Sequence, residues 1–155
     1  MKLNESDSAN TSKTAAKKLR IAILLPRFND ELGSELLANT ENQLATLGVE
    51  KVDIYRVPGA LELSFASLKI AKAKKHHAII ALGIIIRGET KHFDLVAEES
   101  HRGLMKVSLE QNIPVIFGVL ATENEKQVID RVRADRMNKG KEFADAAVEM
   151  ALFHV

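Results

Sequence analysis

The chain has 155 residues, of which 46% are apolar, with no cysteine and a formal net charge of +1. That is the size of one ordinary domain with enough apolar material for a core. It excludes disulfides, a thiol nucleophile and a thiolate metal site, and it contains no run of the ~18 apolar residues that a membrane span needs. The charge balance lacks the basic excess of a duplex-binding domain, and one Tyr with no Trp speaks against a base-stacking surface. The N-terminus carries no apolar signal stretch. A cytoplasmic protein with neither nucleic-acid nor membrane partners is expected.

Residues 1–18, MKLNESDSANTSKTAAKK, are polar and unpatterned, and read as a flexible tail or an arm that orders on a neighbour. The folded domain is expected over 19–155. RIAILLP (20–26) is a continuous apolar run, the mark of a strand covered on both faces. Asn29 and Asp30 can cap the helix that follows. Leu32, Leu36, Leu37, Leu44 and Leu47 recur along it at helical spacing, and Gly48 ends it. VDIYRV (52–57) alternates like a strand and is broken by Pro58-Gly59. Leu61 to Lys75 reads as a helix with lysines at its C-terminal end, where the dipole favours them. HAIIALGIII (77–86) is a third strand, Phe93 to Gln111 a helix, and PVIFGVL (114–120) a fourth strand. Thr122 and Glu125 form a capping box for a short helix. A last helix runs from about Lys141 with Phe143, Ala146, Ala147 and Met150 on one face. The order βαβαβαβαα predicts a single-domain three-layer αβα fold on a four-stranded parallel sheet, with right-handed crossovers.

Ligands in such folds bind beyond the carboxyl ends of the strands. There the chain places Arg27-Phe28-Asn29-Asp30, then Pro58-Gly59-Ala60-Leu61-Glu62, then Arg87-Gly88-Glu89-Thr90-Lys91-His92, and the Phe117-Gly118 region. Gly88-Glu89-Thr90 before a helix can hold a phosphate through backbone N–H groups and a hydroxyl; it is equally a plain helix start capped by Thr90. His92 fits a general acid or base, or an ordinary surface histidine. Phe28 is a stacking platform or a core residue. Glu62 accepts sugar hydroxyls or simply complements the helix dipole. His76 and His77 are adjacent, poorly placed to share a metal, and read as solvated; no metal and no cofactor are expected. The phosphate-loop pattern G-x-x-x-x-G-K-[ST], the nucleophile elbow G-x-S-x-G and the dinucleotide pattern G-x-G-x-x-G are all absent.

Taken in order, RFND (27–30), VPGALEL (57–63), ALGIIIRGETKHFDLVAEES (81–100), PVIFGVL (114–120) and NKG (138–140) resemble the 6,7-dimethyl-8-ribityllumazine synthase family, over about Leu19 to the C-terminus. The resemblance implies a flavodoxin-like fold. It also implies a transferase that condenses 5-amino-6-(D-ribitylamino)uracil with 3,4-dihydroxy-2-butanone 4-phosphate, the penultimate step of riboflavin biosynthesis. The substrate's own amine is the nucleophile, which suits a chain without an activated Ser or Cys. The family pattern gives Phe28 a stacking role on the pyrimidine, Ala60, Leu61 and Glu62 the ribityl side, and Ile84, Ile85 and Ile86 backbone contacts to the ring. Phe117 closes the ring pocket from a neighbouring subunit. Glu89, Thr90 and Arg131 take the phosphate, His92 moves protons, and Lys139 is a secondary charge nearby.

Two departures bear on these expectations. Many family members have Phe where this chain has Leu61. In RVRADRMNKG (131–140), Arg133 and Met137 replace two loop glycines of the shell-forming pattern, and Asp135 replaces a lysine. The resemblance implies a homo-oligomer, a pentamer with sites at subunit interfaces, and a functional link to riboflavin synthase. If the loop glycines take positive φ, their loss disfavours assembly of pentamers into a sixty-subunit shell, so a free pentamer is expected, with a decamer next. Two other readings stay open at this level. One is a paralogue that binds a flavin or lumazine without making it. The other is a phosphate-switched receiver, which needs acidic residues at the end of strand one, where Pro26-Arg27-Phe28 stand instead.

Overall fold

A computed structural model describes residues 13–27 and 30–155, with the side chain of Asp30 also outside the description. Phe28 and Asn29, the expected stacking residue and one of two expected caps, therefore lie outside the described residues. Strand β1 (Arg20–Pro26) leads to helix α1 (Asp30–Thr46), β2 (Lys51–Val57), a 3-10 turn (Ala60–Glu62) and α2 (Leu63–Ala73). Then come β3 (Ala78–Ile86), α3 (His92–Gln111), β4 (Val115–Thr122), α4 (Glu125–Val132) and α5 (Lys139–Ala151). The four strands are parallel in the order β2-β1-β3-β4. The fold is the flavodoxin-like three-layer αβα arrangement.

The period-2 geometry of strands explains why β1 and β3 are apolar throughout. Ile21, Ile23, Leu25, Ile80 and Leu82 enter one core with Leu36 and Leu44 of α1, Val128 and Val132 of α4, and Ala144, Ala147 and Val148 of α5. Ala22, Leu24, Ile79 and Ala81 enter the other with Leu63 and Ile70 of α2 and Leu104 and Val107 of α3. The glycine of the NKG segment serves the first core. A Cβ on Gly140 would stand 2.8 Å from Thr40 Oγ1 and 3.0 Å from Leu36 O, so its absence lets α5 press against the backbone of α1. Gly48, at φ 97°, ends α1 in the left-handed region that other residues resist.

Several local expectations are corrected. Residues 13–16 form a helical turn with Ala16 fully buried, so the packed chain begins before Leu19. The cap of α4 is Asn124, whose side chain accepts from Gln127 N at 3.0 Å, while Gln127 Oε1 accepts from Glu123 N at 2.8 Å. Thr122 is instead the last residue of β4, paired with Ile86. The frame Asn-x-x-Gln won over Thr-x-x-Glu because the strand runs two residues further than its apolar run. On α5 the buried face is Gly140, Ala144, Ala147 and Val148, and Met150 is exposed.

Of the paired histidines, His77 is exposed as expected, but His76 is not. The His76 side chain is 3% exposed, and its Nε2 lies 2.7 Å from Asp53 Oδ2. Arg20 Nε donates to the same oxygen at 2.6 Å, and His77 Nδ1 accepts from Arg20 N at 2.9 Å. This cluster joins the starts of β1, β2 and β3. The hydrogen bond from Arg20, then that from His76, lowers the Asp53 carboxyl from its ordinary 3.8 to about 2. A carboxyl whose folded pKa lies below its unfolded one adds stability that is complete above about pH 4 and is lost as pH falls through about 2. Asp53→Asn is expected to cost about 1 kcal/mol at neutral pH, once solvent screening of the half-exposed pair is allowed for. Thermal midpoints followed from pH 5 to pH 2 check this: the variant should show a shallower acid decline than the wild type, and identical slopes would discard the assignment.

Candidate functional site

The sheet order changes direction at the β1/β3 junction: the chain moves from β1 out to β2 and returns across β1 to β3. Crossovers diverge there and leave a crevice at the carboxyl ends. A cavity of about 410 Å³ occupies it, with Pro26 from β1, Ile84, Ile85 and Ile86 from β3, and Pro58, Gly59, Ala60, Leu61 and Glu62 from the segment after β2. Gly88, Thr90, His92, Phe93 and Val96 complete the lining. Three separate strand ends thus contribute, whereas the sequence reading named four, and the Phe117-Gly118 region of β4 is not in the lining.

The isoleucine run has a second use besides the core. β3 pairs with β1 only as far as Leu24 opposite Ala81, whereas its other edge stays paired with β4 through Ile86. Past Ala81 the β1-side edge of β3 makes no strand pairing, and Pro26, which lies beside Gly83, brings no N–H of its own. Backbone groups at Ile84–Ile86 are therefore left facing the crevice, where a planar heterocycle with its own donors and acceptors can complete a sheet-like edge. Pro58 and Gly59 break β2, and the 3-10 turn that follows brings Ala60, Leu61 and Glu62 to the wall.

At the other wall the loop Gly88–Lys91 enters α3. Thr90 Oγ1 accepts from His92 N at 3.3 Å, so the hydroxyl folds the loop into the first turn rather than standing apart from it. A Cβ on Gly88 would meet nothing within 4 Å. That glycine is needed neither for a tight turn nor for packing, and it lines the cavity. Glu89 and Lys91 are exposed beside it. Arg87 is pinned at the rim: its Nε donates to Glu123 Oε2 at 2.7 Å, and NH1 and NH2 donate to Asp94 at 3.3 and 3.2 Å. Those two carboxylates, Asp94 first, hold the guanidinium proton above even its usual range.

The structure brings together Ala60, Leu61, Glu62, Ile84, Ile85, Ile86, Thr90 and His92. It does not bring Phe117, Arg131 or Lys139 into the same cavity. Phe117 lies on β4 opposite Ala81, with its ring edge-on to His101 at 4.3 Å. Arg131 lies on α4, across the sheet from the cavity-lining helix α3, and donates to Gln127 O at 3.0 Å. Lys139 starts α5 and pairs with Glu142 at 2.7 Å. Sequence reasoning missed Phe93 and Val96 as cavity residues. Their spacing from His92 shows that the first turn of α3 presents one apolar strip inward, a signal read only as helix periodicity. Among the described residues no group of three His, Cys, Asp or Glu could hold a metal ion, and no helix is long and apolar enough to cross a membrane.

The loop 131–140 differs from its expected strain. Arg133 has φ −61°, and the left-handed residue is Asn138 at φ 45°. Met137 is not among the positive-φ residues. The non-glycine residues at 133 and 137 therefore carry no such penalty here, because the chain places its one left-handed step on Asn138, a residue type that tolerates it.

A parallel αβα sheet with a crevice at its switch point, edged by bare strand backbone and a helix N-terminus, defines a flavodoxin-like protein. Within that class the chain belongs to the 6,7-dimethyl-8-ribityllumazine synthase family, whose model matches residues 18–154. It is 48% identical over 133 residues to the 6,7-dimethyl-8-ribityllumazine synthase of Pyrococcus furiosus, covering 86% of this chain and 83% of that one. The corresponding proteins of Thermococcus onnurineus (47% identical, 86% and 87% covered) and Chlorobium chlorochromatii (45% identical, 88% and 89% covered) are similar to the same extent.

Proposed function

We propose that the chain is a 6,7-dimethyl-8-ribityllumazine synthase. It condenses 5-amino-6-(D-ribitylamino)uracil with 3,4-dihydroxy-2-butanone 4-phosphate to give the lumazine, phosphate and water. The observation that carries this is the switch-point cavity, which gathers the family's motif residues from three strand ends around bare β3 backbone. The pyrimidine lies along Ile84–Ile86 with Phe28 stacked on it, and Glu62 accepts ribityl hydroxyls beside Ala60 and Leu61. The phosphate takes the Gly88, Glu89 and Thr90 end of α3. The ring amine attacks the ketone, water and phosphate leave, and His92 passes protons between them. Holding two substrates in register converts a bimolecular step into a nearly unimolecular one, an effect of up to ~7–11 kcal/mol. The assay is to mix both substrates with the purified protein in EDTA and follow lumazine fluorescence. Turnover supports the reading; tight binding of the lumazine without turnover makes the chain a binding paralogue.

Phe117, Arg131 and Lys139 act, in this reading, on the cavity of a neighbouring copy. Their positions outside their own cavity support it, as does the uncovered apolar surface of α2 and α3, where Phe65, Leu95 and Leu109 are more than 60% exposed. The active unit is a homopentamer in the cytoplasm, with riboflavin synthase as the enzyme that consumes its product. The relaxed loop 133–138 removes backbone strain as a barrier to larger shells. What opposes them is the repeated charge of Arg133, since Arg136 is paired with Asp130 and Lys139 with Glu142. Light scattering at moderate and high salt is expected to give five chains of 17.1 kDa, about 85 kDa, at moderate salt. A megadalton particle under that condition would show that charge does not limit assembly.

A further inference from the structure

We infer that Arg87 is a positioning residue for the condensation, pinning the first turn of α3, and with it His92, to the junction of β4 and α4. The inference rests on the role proposed above for His92. Three contacts carry it. Arg87 grips Asp94 with both terminal nitrogens at 3.2 and 3.3 Å. Its guanidinium carbon lies 4.4 Å from the centre of the Phe93 ring, a cation–π distance. Its Nε and its backbone N reach the other element, donating to Glu123 Oε2 at 2.7 Å and Thr122 O at 2.9 Å. Phe93 and Asp94 directly follow His92, and Phe93 lines the cavity. One side chain therefore fixes both the apolar and the acidic face of the turn that carries the proton-transfer group.

This arrangement is poorly explained by stability. The Arg87, Asp94 and Glu123 side chains are 39%, 48% and 58% exposed, and ion pairs this wet contribute little to folding. His92, for its part, is exposed, and no ion pair or aromatic contact holds its ring among the described residues; its hydrogen bond to Thr90 is made by its backbone N. Its aim depends on the turn beneath it. The planar fork of arginine can serve two carboxylates and an aromatic face at once, whereas lysine, a single point charge, cannot.

The test compares wild type, Arg87→Ala, Arg87→Lys, His92→Ala and the Arg87→Ala/His92→Ala double variant. Misplacement of a catalytic group by an ångström costs up to 10²-fold, so Arg87→Ala is expected to lower kcat about tenfold. KM for both substrates should stay within about twofold and the thermal midpoint within about 2 °C. Arg87→Lys should recover part of the loss. In the double variant the Arg87 effect should vanish, because a residue acting only through His92 has nothing left to act on. The His92 ring resonance in a histidine-labelled sample, identified by its absence in His92→Ala, should shift in Arg87→Ala while those of His76 and His77 stay put. An unchanged kcat, or losses that multiply in the double variant, overturns the inference. If the wild type makes no lumazine, the functional reading falls, and the His92 resonance alone decides: one that Arg87→Ala leaves unmoved overturns the positioning role as well.

Discussion

Arg131→Ala raises the KM for 3,4-dihydroxy-2-butanone 4-phosphate by roughly 10–100-fold and leaves that for the pyrimidine within about twofold. Of the five N–H donors a guanidinium carries, one is engaged, through NH1 to Gln127 O at 3.0 Å, one turn back on its own helix. That bond aims the side chain and leaves donors open for two parallel contacts to phosphate oxygens, the geometry arginine is suited to. The last turn of α4 on which it stands is anchored by buried Val128 and Val132. In the proposed arrangement, removing the fork leaves the phosphate to the N-terminus of α3 and the secondary charge of Lys139, and a charge-assisted hydrogen bond of this kind is worth about 1.5–3 kcal/mol. The pyrimidine, in that arrangement held by strand backbone and the Ala60–Glu62 wall, should not feel the loss. Initial rates with each substrate varied in turn separate the two, and an equal rise in both KM values would remove Arg131 from the phosphate site. Because Arg131 does not line its own cavity, mixed oligomers give a second check. Arg131→Ala subunits combined with His92→Ala subunits should regain activity at interfaces that pair an intact His92 with an intact Arg131.

The parts of this molecule that were legible in sequence are those where one physical signal dominates. The apolar runs of β1 and β3 serve cores on both faces, so their burial needs no knowledge of register, and the end of β3 with the residues just beyond it became one wall of the cavity. Legibility failed where two local signals competed. Thr122 and Asn124 both offer a cap, and only the length of β4, set by its pairing with β3 up to Ile86, decides between them. It failed also where a polar side chain is buried by something distant in the chain. His76 is solvated by any local criterion, but Asp53, 23 positions away, sits within hydrogen-bonding reach. On α5, Ala144 and Val148 displace Met150 from the core because Gly140 fixes which face meets α1. The cavity lining was legible as the residues that follow β2 and β3. That Arg131 stands outside the cavity of its own chain was not, because the side of the sheet that α4 covers is a tertiary fact; for Phe117 the family resemblance already implied a place on a neighbour's pocket.

His92→Ala is expected to lower turnover about 100-fold, the low end of the range for a general acid–base group, with both KM values nearly unchanged. The imidazole sits at the cavity mouth on the first turn of α3, close to the Gly88–Thr90 loop proposed to hold the phosphate. From there it can reach protons released as the amine attacks the ketone and as phosphate and water depart. The nucleophile belongs to the substrate, so His92 is not required to form a bond, and the departing phosphate and solvent can each carry protons in its absence. That is why the loss should stop far short of the 10⁴ seen where no substitute exists. Substrate positioning, the larger contribution, remains with the β3 edge, the Ala60–Glu62 wall and the α3 N-terminus, none of which the substitution touches. Two measurements check the assignment. Added imidazole should restore part of the variant's turnover, and single-turnover mixing should show the deficit in the chemical step rather than in substrate binding. Unchanged turnover would leave His92 as a rim residue, and a large rise in the KM for the phosphate substrate would make it a binding group instead of a proton carrier.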